Sequence, residues 1–137
     1  MSLASLQASL NNKRAQLQQK NAEKQDYLDT AAHIKKLYDR MKADKQTMKD
    51  HKANLKTFSK ENYTEFKGNL FQNIYKPKLT DVLSGYDDVI SRIDYNLDGL
   101  NNMRTKYENK ASSCNGPIGI LTSGINLLVT QIQNWTN

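Results

Sequence analysis

The chain has 137 residues, of which 37% are apolar, with six glycines, two prolines and a single cysteine. That length fits one domain, and so thin an apolar complement excludes a core thick enough to enclose a substrate pocket. The formal charge of +6 excludes a uniformly basic protein, because residues 1–60 hold 13 Lys/Arg against 6 Asp/Glu, residues 61–110 hold 7 against 8, and residues 111–137 hold none.

From Leu3 to Phe58 there is no glycine or proline, and Leu3, Leu6, Leu10, Leu17, Leu28, Ala31, Ile34, Leu37, Met41, Met48, Leu55 and Phe58 mostly recur at spacings of three, four or seven. That period predicts one long helix over about 2–60, with a weak seam across the polar run Gln18–Gln25. A helix so long and so polar needs a neighbour to cover its apolar stripe. Glu61–Gly68 follows and contains the first glycine of the chain. The expected turn lies there, with Phe66 as an aromatic plug and Gly68 as the residue free to take φ > 0.

A second helix is expected over about 69–112, with a kink or a short break near Ile74–Lys78 because Pro77 lacks a backbone donor. Its seam is Leu83, Tyr86, Ile90, Ile93, Leu97 and Leu100, continued by Met103 and Tyr107. The alternating three- and four-residue spacing reads as a coiled-coil-like stripe packed antiparallel on the first helix. The run Ser112–Pro117 is expected to break the chain. Pro117 suits the first turn of a new helix over about 117–135, with the stripe Ile118, Leu121, Ile125, Leu128, Ile132 and Trp135. The return helix is shorter than the first, so the third either covers the remaining N-terminal end or stays open for a partner. Fold class is thus expected to be all-α: an elongated antiparallel helical hairpin with a short third helix, in a single domain over 1–137.

No catalytic or metal-binding constellation is legible. Asp94–Gly99 resembles the start of a calcium loop, but Asn101 and Thr105 stand where that loop needs a hydrophobic residue and a bidentate glutamate. His33 and His51 are isolated, and Cys114 has no base nearby in sequence. No cofactor is expected. The third helix carries too many polar residues for a membrane span and no cation for an interfacial helix. The basic first helix lacks a nucleic-acid reader motif and stacking platforms. A lone cysteine forbids an internal disulfide and suggests a cytosolic setting. Met1-Ser2-Leu3 runs straight into a helical pattern with no signal peptide expected, and the sequons at Asn62 and Asn134 read as chance.

The opening Met1-Ser2-Leu3-x-x-Leu6, the central Phe66-Lys67-Gly68-Asn69, the run from Ile90 to Leu100, and the close from Asn115-Gly116-Pro117-Ile118 to Trp135 together resemble the YwqH-like family. These are small helical bacterial proteins encoded beside LXG-domain toxins of the type VII (Esx) secretion pathway. The aromatic-x-Gly turn is similar to the Trp-x-Gly turn of WXG-type hairpins, with Phe66 in place of tryptophan. No tyrosine is followed four residues later by an acid, so the usual export signal of WXG substrates is missing.

The resemblance implies a non-enzymatic chaperone or targeting partner of the helical N-terminal LXG domain, supporting the toxin's stability and export. It implies a cytoplasmic protein in a hetero-oligomer, with co-secretion and the need for a second small helical protein both left open. Ile118, Leu121, Ile125, Leu128, Ile132 and Trp135 are the expected docking residues. A self-associating homodimeric coiled coil is the alternative. A basic coiled coil on nucleic acid or an anionic membrane is the third reading.

Overall fold

In a computed structural model of the chain, the backbone is described for residues 2–60 and 71–137 and the side chains for residues 2–58 and 73–137. The expected turn, with Phe66 and Gly68, lies outside the described residues. Among the described residues the fold is all-α, with no strand. Helix α1 spans Leu3–Lys60, a π-helical turn spans Phe71–Tyr75, α2 spans Lys76–Ser113, and α3 spans Asn115–Thr136.

Helix α1 opens on a serine cap, in which the Ser5 amide donates to Ser2 Oγ at 3.1 Å. Pro77 stands second in α2, directly after the π-helical turn, so the helical winding changes between Tyr75 and Lys76, within the range where an irregularity was expected. Its ring crowds the carbonyl four residues back and it offers no donor to it, and wider winding just before it accommodates both effects.

The expected six-residue break before the third helix shrinks to one residue. Cys114 keeps right-handed helical angles (φ −71°, ψ −20°), so α2 runs into α3 as one long, bent helical stretch. The Cys114 amide tightens onto Ala111 O at 3.1 Å, and Ile118 N donates to Cys114 O at 3.0 Å. Pro117 explains why the interruption falls there: it has no N–H for the carbonyl of Ser113.

The chain divides into two compact units, Met1–Ile34 with Met103–Asn137, and Lys35–Asn102. In the first, Leu6, Leu10 and Leu128 are buried together, with Ile125, Val129 and Ile132 packed against them. The Tyr27 and Tyr107 rings stand 6.3 Å apart, and Lys110 Nζ lies 5.1 Å from the Tyr107 centroid and 5.7 Å from that of Tyr27. As α1 is followed back from Tyr27 to Leu6, the contacts advance from Tyr107 to Leu128, so the pairing inside this unit is antiparallel.

In the second unit Leu97 is buried, and Leu83, Tyr86, Ile90, Ile93 and Leu100 are half-buried. Two ion pairs, Lys45–Asp94 and Lys52–Asp87, bridge α1 and α2. The lysines ascend by seven residues while the aspartates descend by seven, which fixes an antiparallel register in this unit. Seven residues are close to two helical turns, so each pair repeats the geometry of the other.

Candidate partner-binding surface

Helix α3 has no Asp, Glu, Lys or Arg anywhere along it. Its stability therefore comes from where its apolar side chains go rather than from charge pairs. At about 100° per residue, Leu121, Ile125, Leu128 and Ile132 share one side. Leu128 reaches full burial against Leu6 and Leu10, while Ile118, Leu121, Ile125 and Ile132 are half-buried. Of the two roles the sequence leaves open for this stripe, covering the N-terminal part of α1 is the one seen within this unit. Trp135, the last member of the expected docking set, is 56% exposed.

Gly124 lets α1 and α3 approach. A Cβ placed there would lie 3.3 Å from Lys13 Cδ, so the aliphatic stem of Lys13 crosses α3 where a side chain would otherwise stand.

Two residues absent from the expected docking set stand out. Ile120 is 74% exposed and Leu127 is 59% exposed. They are seven residues apart, hence nearly aligned, on a line about a quarter turn round α3 from Leu128. A signal for them existed in the sequence: both are apolar yet fall off the 118–121–125–128–132 stripe, which its own burial does not require.

Ile120 also belongs to an open cleft of about 540 Å³ within the first unit. Pro117, Ile120 and Leu121 form its apolar wall, and Gln19, Lys20 and Glu23 form its polar wall. Lys20 Nζ donates to Glu23 Oε2 at 3.0 Å, and Tyr27 Oη donates to Glu23 Oε1 at 3.4 Å. The hydrogen bond from Lys20, then its charge, hold the Glu23 carboxyl below its ordinary range. The same bond raises Lys20, and the Glu23 charge raises the Tyr27 phenol. One apolar and one charged wall in an open cleft suit the side of an amphipathic helix.

Other chemistry has little to stand on among the described residues. They hold no group of three His, Cys, Asp or Glu side chains able to hold a metal. No helix among them is long and apolar enough to cross a membrane. Cys114 is buried, its Sγ 3.5 Å from Lys110 O, and His33 and His51 are exposed. Comparison with protein-family models, with curated proteins and with solved structures finds no match.

Proposed function

We propose that the chain is a non-enzymatic chaperone or targeting partner that binds the helical N-terminal LXG domain of a type VII secretion toxin and supports its stability before export. The observation that carries this reading is the outward pair Ile120 and Leu127 on a helix without charge. Large apolar side chains aligned at heptad spacing and left in water favour burial against another helix. The resemblance to YwqH-like proteins supplies the identity of that helix, and the WXG-like hairpin expected from the sequence belongs to the same proposal.

The proposed docking surface differs from the stripe expected at first. Ile120, Leu127, Trp135 and the exposed edge of Leu121 meet the toxin, while Ile125, Leu128 and Ile132 hold α3 on α1. The protein acts in the cytoplasm, where the toxin is made.

Co-expression with the LXG domain encoded beside it, with the tag on the toxin alone, tests this directly. Wild-type chain is expected to co-elute with the toxin on size exclusion. The double variant Ile120→Asp/Leu127→Asp is expected to lose co-elution while keeping its helical circular dichroism, since both side chains point to water. Wild-type chain that elutes without the toxin, or a double variant that still co-elutes, overturns the proposal.

A further inference from the structure

Within the second unit, the α1 segment from Lys35 to Lys60 carries nine Lys/Arg against three Asp. The distribution is ordered. Lys45 and Lys52 are spent on Asp94 and Asp87. Lys35, Lys42 and Lys49 form a second series at the same seven-residue spacing, and Lys56 extends it. All four are exposed, and Lys35, Lys42 and Lys49 make no ion pair among the described residues. Lys35, Lys42 and Lys49 lie in a single file with about 10.5 Å between successive residues and about 21 Å from first to last.

The geometry points to an acidic α-helix of a partner protein, with Asp or Glu every seven residues on one side, docked along the row Lys35–Lys42–Lys49. The repeat is the first reason. A helix that carries an acid in each heptad presents negative charge at the same interval of about 10.5 Å, so three pairs form in one register. The width of the row is the second. Asp39 and Asp50 lie beside it on α1, and Asp94 and Asp98 line the cleft that Lys42, Lys45 and Lys49 also line. Acids on both flanks oppose a broad polyanion but leave room for a narrow line of carboxylates.

A nucleic-acid strand, with a phosphate about every 3.4 Å, would set several phosphates against those aspartates. The same lysines and aspartates that close α1 onto α2 also show the mode of contact, since Lys45–Asp94 and Lys52–Asp87 pair at this spacing inside the unit. This surface belongs to the second unit and does not rest on the toxin reading of α3.

The test uses the full chain and two synthetic helical peptides of about 21 residues. Both have the same composition, one with Glu at every seventh position and one with the same glutamates scrambled around the helix. Fluorescence anisotropy is expected to show the heptad peptide binding at least about tenfold tighter than the scrambled one, with affinity falling as salt rises. The variant Lys35→Ala/Lys42→Ala/Lys49→Ala, at exposed helical positions, is expected to lose that preference and keep its helical signal. Equal affinity for the two peptides, a triple variant that keeps the preference, or tighter binding to a DNA duplex or an anionic vesicle at matched salt each overturns the inference.

Discussion

Glu23 gathers charge and hydrogen bonds into one spot on α1: an ammonium from Lys20 and a phenol from Tyr27 both donate to it. Because its carboxyl is held below the ordinary value, the stabilisation it contributes is fully present above the unfolded-state carboxyl pKa. That contribution disappears as pH falls through the lowered folded value. Lys20 and Tyr27 are both raised, so their share is present below their unfolded pKa values and is lost as pH rises through the raised ones. The melting temperature of Glu23→Gln is therefore expected to lie below wild type by a constant margin at neutral pH. The margin closes toward acid, as Glu23 protonates, and toward strong alkali, as Tyr27 and Lys20 lose their protons. A margin that does not change with pH would show that the three groups act independently in solution. At this scale the sequence reveals the residue types and the i, i+3 and i, i+4 spacings of the cluster. It does not reveal that this cluster faces the apolar wall made by Pro117, Ile120 and Leu121, because nothing local links residue 23 to residue 117.

Helix α2 shows what an element's own sequence decides and what its neighbours decide. Its apolar heptad was legible because Leu83, Tyr86, Ile90, Ile93, Leu97 and Leu100 keep an unbroken three–four alternation, and all six are buried or half-buried. The start of the helix was less legible, since propensity alone does not show that Pro77 is preceded by a π-helical turn. The passage into α3 was misread for a related reason. Gly116 and Pro117 look like a break, yet Gly116 needs no positive φ and Pro117 lies within the first turn, where its missing donor costs little. The glycines of α2 expose the intrinsic cost of the helix. Gly85 and Gly99 sit in its interior with nothing within 4 Å of an added Cβ. Gly85→Ala and Gly99→Ala are each expected to stabilise the protein by about 0.8–1 kcal/mol, read as a higher denaturation midpoint with an unchanged slope. Gly124→Ala gains less, because the new methyl meets the Lys13 stem at 3.3 Å and that side chain must shift. If Gly85→Ala instead destabilised, the open space beside it would have to be occupied by a partner in solution.

At the scale of the whole molecule the decisive quantity is how little is buried. The buried apolar residues include Leu6, Leu10, Ile34, Leu97 and Leu128, and among the described residues no large side chain falls below 2% exposure. Ile120, Leu127 and Trp135 on α3, and Val82 and Val89 on α2, stay at least 40% exposed. Thin burial of this kind followed from composition, because a chain with 37% apolar residues and long helical periods has only narrow stripes to hide. Which stripe hides inside each unit and which stays outside did not follow, since that depends on contacts between residues far apart in sequence, from 35 positions for Lys52 and Asp87 to 122 for Leu6 and Leu128. On the proposed function, a chain with so much of its apolar surface in water is expected to gain stability from the LXG domain by mass action. A partner that binds only the folded form, at a hundred times its Kd, adds about 2.7 kcal/mol, which for a domain of this size raises Tm by roughly 10 °C. Differential scanning fluorimetry with purified LXG domain measures that rise, and Ile120→Asp/Leu127→Asp is expected to abolish it without lowering the Tm of the chain alone. A Tm that ignores the LXG domain but climbs with the chain's own concentration would assign the cover to a second copy. The outward face of α3 would then be a homodimer seam, and the toxin reading would fall while the helical architecture stood.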